Sequence, residues 1–243
     1  MKKTMAMLGL ITGVAVSAAP AAAQAPSPAT EKFFVNVNFG AQLADRSIDA
    51  VVSDSVYEET ATLASTTPVS GGALFDVSAG YRIWGDFFAA LAVTSFGDTQ
   101  HSDYIATVPH PTFFDRPLTT SGRIEDLKRR EVGFHPQIVW AYPLTDRVDL
   151  AVSGGPSFVR LSQDVSQGLN VPPGTQTANL SVGRETATAK GVHVGADVSY
   201  TLSPRYGVGG FLRYVTASAD LPSAPDNNTG GLHIGGGVRV RLF

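Results

Sequence analysis

Apolar and polar residues alternate along most of this chain with a period of two. The longest alternating stretch runs from Lys190 to Val215 and is interrupted only by Ser203-Pro204-Arg205. Before the interruption, every second residue is apolar: Val192, Val194, Ala196, Val198, Tyr200 and Leu202. A period of two places successive side chains on opposite faces of a strand. The stretch therefore predicts a long β-hairpin with a tight turn.

The same pattern recurs and predicts eight strands. They cover residues 33–43, 73–83, 87–96, 127–142, 148–161, 190–202, 206–215 and 230–243. Three short turns are predicted at Trp84–Asp86, Pro143–Arg147 and Ser203–Arg205. Four long loops alternate with them, at Asp45–Gly71, Gly97–Ser121, Gln163–Thr188 and Thr216–Thr229. This alternation places all the long loops at one end of the molecule.

Two features modify the regular pattern. In the first long loop, the apolar residues of Ile48 to Val52 and of Val56-Tyr57 are compatible with strands that extend further. Pro136 and Pro156 lie nearly equidistant from the turn Pro143–Arg147, on the two strands that this turn joins. Proline has no N–H to donate, and if the strands close into a barrel, there is no edge strand on which this loss is harmless. We expect a bulge or a local opening of the sheet there.

The N-terminus predicts export. Lys2 and Lys3 precede an apolar run from Ala6 to Val16, and the small-residue segment that follows ends in Ala21-x-Ala23. These features predict a signal peptide over residues 1–23, followed by a proline-containing periplasmic leader over residues 24–30. The apolar run is too short to serve as a membrane anchor. If the remaining chain enters a membrane, it must do so as a closed barrel.

Composition narrows the classes of protein. Of the 243 residues, 43% are hydrophobic and 16% are charged, which predicts one folded all-β domain over residues 31–243. The net charge of -3 and the absence of Lys/Arg clusters argue against a nucleic-acid partner. The chain has no cysteine, so disulfides and thiol chemistry are excluded.

These features resemble the small outer-membrane barrels of the OmpA and OmpX type. The resemblance covers about Phe33 to Phe243 and lies in the alternation of long and short connections rather than in any invariant motif. It implies an eight-stranded antiparallel up-and-down transmembrane β-barrel in the cell outer membrane, with four long extracellular loops and three short periplasmic turns. It also implies outer-membrane lipid as a partner, and a monomer. Phe243 resembles the terminal assembly signal, although the lipid-facing register here falls on Leu242.

The two faces must then be assigned to lipid and lumen. A secreted lipocalin-like carrier would place the apolar face inside and the polar face outside. Aromatic residues favour the membrane barrel, because they cluster near the short turns: Phe33, Phe34, Tyr81, Trp84, Phe87, Trp140, Tyr142, Tyr200, Tyr206 and Phe243. The polar face carries Asp76, Glu131, Asp149 and Asp197 with Arg82, Arg129, Arg213, Arg239 and Arg241. This near-balance predicts ion pairs that plug a narrow lumen.

Candidate chemistry is sparse. His135, His193 and His233 are predicted to face the lumen, where hydrogen bonding is a simpler explanation than metal binding because no strand has a metal-ligand spacing. His101 and His110 fall in a predicted loop. His101-Ser102-Asp103 is no preformed triad, because adjacent residues alternate sides. We expect no catalytic, cofactor or metal site.

The sequence thus favours a structural or surface-interaction barrel that binds an extracellular ligand or partner through its long loops. Three alternatives stay open: a porin-like barrel for small solutes or hydrophobic compounds, an outer-membrane enzyme acting on lipid or peptides, and the secreted carrier.

Overall fold

The computed structural model describes residues 31–44, 46–222 and 224–242. Its ten strands are β1 Phe33–Leu43, β2 Arg46–Val56, β3 Glu59–Val69, β4 Gly72–Trp84, β5 Phe87–Val108, β6 Leu118–Pro143, β7 Val148–Asn170, β8 Asn179–Thr201, β9 Tyr206–Leu221 and β10 Ala224–Leu242. Among these residues, no helix is long and apolar enough to cross a membrane. The predicted signal peptide, the leader and Phe243 lie outside the described residues.

Eight of the strands close into a ring. The order is β1, β4, β5, β6, β7, β8, β9, β10 and back to β1, and neighbours are antiparallel throughout. The first and last strands pair in continuous register, from Phe33 opposite Leu242 to Leu43 opposite Leu232. A closed ring leaves no unpaired edge, which is the condition for crossing a bilayer with strands. The predicted eight-stranded barrel is confirmed.

The predicted long loops differ most from the structure, because they are largely strand. The segment 45–71 contains β2 and β3, a hairpin outside the ring that pairs with β5 through Thr62–Thr66 against Asp103–Thr107. In the other three segments the barrel strands continue outward, and the connections without strand shrink to 109–117, 171–178 and the two residues between Leu221 and Ala224. Thr occurs in all of these segments, and Val occurs repeatedly in residues 45–71 and 163–188; both residue types favour strands wherever pairing partners exist.

The outer face of the barrel is apolar around its periplasmic half. Side chains exposed there include Phe39, Phe75, Tyr81, Ile83, Trp84, Phe87, Leu91, Phe134, Ile138, Trp140, Tyr142, Val152, Phe158, Val192, Val194, Val198, Tyr200, Tyr206, Val208, Leu212, Tyr214, Ile234, Val238 and Leu242. Besides the predicted group of aromatics near the short turns, a second group lies towards the extracellular side of the band: Phe39, Phe75, Phe134, Phe158 and Tyr214. Phe34, which was predicted to belong to the first group, points into the lumen. An apolar band flanked by aromatics at both ends fits the lipid-facing surface of a barrel.

Polarity inverts beyond this band. In the extracellular extension, formed by β2, β3 and the outer halves of β5 to β9, most inward side chains are apolar, with a few buried polar ones such as Thr67 and Ser102, and the outward ones are mostly polar. Its buried clusters are Ile48, Ala50, Val69, Leu161 and Leu221; Ala61, Leu63, Ala106, Val108 and Leu169; and Val159, Ala189, Val215, Ala217 and Ala219. Lipid surrounds one half of the barrel and water the other, so the buried side of the strands changes from polar to apolar.

The two prolines open the wall, as expected. Pairing of β6 with β7 stops after Phe134–Phe158 and resumes at Ile138–Gly154 without a change of register. The distortion is therefore a local opening and not a bulge. The opening is a loss of strand pairing and not a gap, because the two backbones stay close: a Cβ on Gly155 would stand 2.1 Å from the carbonyl oxygen of Pro136. Only glycine fits at that position.

Candidate functional site

The periplasmic end of the lumen is a vestibule lined by ion pairs. Its cavity volume is about 90 Å³. The carboxylate of Asp149 accepts a hydrogen bond from Arg241 at 2.5 Å, and Asp197 pairs with Arg239. Both arginines lie on β10. Asp149 lies on β7 and Asp197 on β8, two strands that pair with each other. The vestibule is thus polar but nearly neutral.

The vestibule ends at a buried ion pair across the barrel. Asp76 on β4, 1% exposed, accepts hydrogen bonds from Arg213 Nη1 at 2.6 Å and from Asn38 Nδ2 at 2.7 Å. Arg239 also donates to the amide oxygen of Asn38, which links this pair to the vestibule. This buried pair is tolerated because the two charges compensate each other and Asp76 accepts a second hydrogen bond from Asn38.

Two histidines occupy the lumen behind the proline opening. His135 Nδ1 and His193 Nδ1 each lie 2.9 Å from Ser157 Oγ. His135 Nε2 lies 3.1 Å from Thr94 Oγ1, and His193 Nε2 lies 3.1 Å from Gln137 Oε1. The rings meet edge to face, 5.1 Å between centroids.

Gln137, at one end of this row, determines which atom donates and which accepts in each of its hydrogen bonds. The oxygen of Gln137 can only accept, so His193 donates from Nε2 and accepts from Ser157 at Nδ1. Ser157 then accepts from His135 Nδ1, and His135 Nε2 accepts from the Thr94 hydroxyl. Every group is satisfied with both imidazoles neutral, so the row is a complete structural network.

Ser157 is the key residue of this row, because it is 0% exposed and joins both rings. We expect Ser157→Ala to destabilise the protein by about 1–3 kcal/mol, since it leaves the two Nδ1 atoms without partners. Urea unfolding of protein folded into vesicles measures the change. Ser162→Ala on the same strand is the control, because Ser162 only accepts a 3.4 Å bond from Thr186. Equal effects of the two variants would contradict the network.

The outer end of the lumen is closed by a second charged group. Glu131 pairs with Arg129 at 2.7 Å and with Arg46 at 3.4 Å. Gln42 Nε2 donates to Glu131 at 3.3 Å, while its oxygen lies 3.0 Å from His233 Nε2. The side-chain amide of Gln163 also accepts from Arg129. Above this group begins the apolar core of the extension.

Every predicted lumen carboxylate is therefore paired with a predicted lumen arginine, and Arg82 binds at the periplasmic rim to Glu31 and Asp86. The three predicted lumen histidines all point inward. The prediction missed Arg46 and Gln163, which fell in supposed loops. It also missed Asn38, Gln42 and Ser157, whose position on a predicted strand was the only available signal. No group of three or more metal-binding side chains occurs among the described residues.

The run His101-Ser102-Asp103 was predicted to lie in a loop, but it lies in strand β5. Ser102 is buried and bonded to Thr67 Oγ1 at 2.9 Å, whereas Asp103 is exposed and paired with Arg123 at 2.7 Å. The hydrogen bond from Arg123 lowers the pKa of the Asp103 carboxyl. The three side chains do not converge, in agreement with the strand period.

The extracellular tip is the connection 109–117 between β5 and β6. His110 Nδ1 accepts backbone hydrogen bonds from Thr112 and Phe113, at 3.0 and 3.2 Å. The Arg116 guanidinium lies 5.6 Å from the centre of the Phe113 ring. Phe113 and Phe114 are nevertheless 56% and 68% exposed. The tip therefore displays aromatic rings on an internally bonded loop.

Residues 10–241 match the family model described as outer membrane protein beta-barrel domain. The chain belongs to this family. Membership in this outer-membrane barrel family, together with the closed ring and apolar band, places the protein in the cell outer membrane. It also excludes the secreted lipocalin-like carrier.

Solved barrels of the outer membrane are similar in structure. Neisserial surface protein A (NspA) shares 18% identity, with 86% of this chain and 97% of that chain covered, and a TM-score of 0.44. OprG from Pseudomonas aeruginosa shares 11%, with coverages of 89% and 98% and a TM-score of 0.49. Ail of Yersinia pestis, solved in complex with the heparin analogue sucrose octasulfate, shares 11%, with 86% and 99% covered and a TM-score of 0.34. No curated protein matches the chain significantly.

Proposed function

We propose that this outer-membrane barrel is a surface-interaction protein whose extracellular extension presents the 109–117 tip to a partner outside the cell. In this proposal it acts as a monomer, without catalysis and without conducting solutes. The observation that carries it is the exposure of Phe113 and Phe114 at the end of an extension with its own apolar core.

The tip is preorganised for binding. Asp115 N–H donates to Glu59 Oε1 at 3.1 Å, which ties the tip to the β2–β3 hairpin. Gln176 Nε2 contacts the carbonyl oxygens of Val108 and Arg116, which ties it to the β7–β8 connection. Aromatic and arginine side chains held in place on a surface are the residue types that dominate binding interfaces, and their order lowers the entropy cost of binding.

The filled lumen supports an interaction role over transport. Four groups of paired polar side chains follow one another along the lumen: the vestibule ion pairs, the Asp76–Arg213 pair, the histidine row and the Glu131 group. The apolar core of the extension lies above them. A solute crossing the barrel would have to separate buried ion pairs, at a cost of several kcal/mol for each. The closed barrel wall likewise satisfies its own strand edges, which supports a monomer.

Adhesion of cells that express the protein tests this role. The double variant Phe113→Ser/Phe114→Ser should reduce binding to the surfaces that the wild type binds, by roughly tenfold or more, because two exposed aromatic anchors are lost. The panel consists of extracellular-matrix proteins, sulfated glycans and cells of the same strain. Val51→Ser/Ile105→Ser is the control, since both residues are exposed apolar positions on the extension outside the tip.

Two outcomes would contradict the proposal. One is equal adhesion of the tip variant and the wild type. The other is a wild type that adheres to nothing on the panel but gives steady single-channel conductance in a planar bilayer, which would favour the transport barrel.

A further inference from the structure

A row of unpaired cations lies on the outer wall of the barrel. Arg130 on β6, Arg160 on β7 and Lys190 on β8 are all exposed and face outward. Among the described residues, none of the three makes an ion pair or a side-chain hydrogen bond. They are separated by long stretches of sequence, and the sheet brings them onto three adjacent strands.

The register makes the three residues diagonal neighbours. Arg160 lies opposite Val132, two residues from Arg130 along β6, and Lys190 lies opposite Phe158, two residues from Arg160 along β7. Diagonal neighbours in a sheet are about 7–8 Å apart, within reach of long side chains that share one ligand. The row is therefore compact enough to contact a single anionic group or a pair of them.

The three cations lie at one height above the periplasmic turns. Arg130 is 13 residues before the end of β6, Arg160 is 12 residues after the start of β7, and Lys190 is 11 residues before the end of β8. With a rise of ~3.4 Å per residue and a strand tilt of ~45°, this height is about 30 Å. The apolar band of such barrels is about 25 Å tall, so the row lies just beyond its outer edge.

The surroundings fit the head of a lipid. Phe134 and Phe158, an exposed cross-strand pair, lie directly on the membrane side of the row. On the other side a groove is lined by four cations, Lys128, Arg130, Arg160 and Arg184, by one carboxylate, Asp98, and by the polar residues Ser95, Thr99 and Ser162. The carboxylate nearest to this row on β7, Asp164, is already paired with Arg184 at 2.9 Å. Positive charge thus outnumbers negative charge where lipid headgroups lie.

We propose that Arg130, Arg160 and Lys190 form a binding site for the phosphate groups of a phosphorylated glycolipid in the outer leaflet. The acyl chains lie against the apolar band below Phe134 and Phe158, and the phosphates contact the cations. Arginine and lysine favour phosphate through charge-assisted hydrogen bonds, and a juxtamembrane cation gains affinity from the anionic surface. This site rests on the barrel wall and does not depend on the proposed role of the tip.

Binding of lipid A by the purified, delipidated full chain tests the site. The probes are phosphatidylcholine vesicles that contain bisphosphorylated lipid A, the same vesicles with dephosphorylated lipid A, and free inorganic phosphate as competitor. The variant Arg130→Gln/Arg160→Gln/Lys190→Gln should bind the phosphorylated lipid roughly 100-fold more weakly than the wild type, because each cation contributes about a fivefold gain.

Two further variants distinguish binding at these three residues from an effect of the net charge of the protein. Lys32→Gln/Arg147→Gln/Arg205→Gln removes the same charge from the periplasmic end of the barrel, where all three residues are exposed, and should bind like the wild type. Arg130→Lys/Arg160→Lys/Lys190→Arg keeps the charge and should retain most of the affinity, which also shows that this wall tolerates substitution.

Three results would overturn the proposal. They are equal affinity for the dephosphorylated lipid, an equal loss in the control triple variant, and full displacement of the lipid by inorganic phosphate at a concentration matched to the lipid phosphate.

Discussion

Asp76→Ala should destabilise the barrel by about 3–5 kcal/mol. The substitution leaves the Arg213 guanidinium buried in the lumen without its counter-charge, and an uncompensated buried charge costs far more than the ion pair itself contributes. Asn38 also loses its acceptor. Urea unfolding of the vesicle-embedded protein, followed by the fluorescence of Trp84 and Trp140, measures the change.

Two variants show that the unpaired charge causes this loss. Asp76→Ala/Arg213→Leu removes both charges and should recover most of the stability, because apolar replacements of buried pairs are often close to neutral. Asp103→Ala breaks an exposed pair with Arg123 and should have no measurable effect. An Asp76→Ala protein as stable as the wild type would mean that water fills the lumen, and the ion pairs would not block it.

Ala106→Asp should unfold the extracellular extension, whereas Ile105→Asp should leave it intact. Ala106 is 0% exposed and lies opposite Leu63 in the apolar core, while its neighbour Ile105 is 55% exposed and faces outward. A carboxylate forced into that core has no partner and costs about 3–5 kcal/mol. Hydrogen exchange of the β3 and β5 amides measures the local stability.

The membrane section provides the reverse control. There the outward positions are apolar, so Ile138→Asp should impair insertion of the barrel, even though Ile105→Asp, which also faces outward, does not impair folding. Protection from exchange that falls equally in the Ala106→Asp and Ile105→Asp variants would contradict the inversion of polarity between the two sections.

Local pattern was enough to predict the membrane section. A strand in lipid must present apolar side chains on one face at every second position, and the long run from Val192 to Leu202 shows this directly. Short turns were identified from their Gly, Pro and Asp residues. The ion pairs of the lumen were also predicted as a group, because a narrow closed lumen forces opposite charges on the polar face to meet.

The extension was missed because its signal is weaker. In residues 59–69, Thr and Ser occupy both faces, and Ala61 and Leu63 are too few to mark a core by themselves. Their burial depends on Ala106 and Leu169, which lie on strands far away in sequence. A composition rich in Thr and Ser was interpreted as loop, although the same residues form strands when a neighbouring strand supplies hydrogen bonds.

By itself, then, the sequence determined which residues cross the membrane, which face meets lipid and which charges share the lumen. Each of these features depends on one strand at a time, because side chains alternate with a period of two and lipid requires apolar side chains on the outward face. Tertiary structure alone decided which partners meet. Ser157 joins His135 to His193, and Arg130 stands beside Arg160, only because particular registers align β6, β7 and β8. Register is set by the closure of the whole ring, and no local stretch of the chain contains that information.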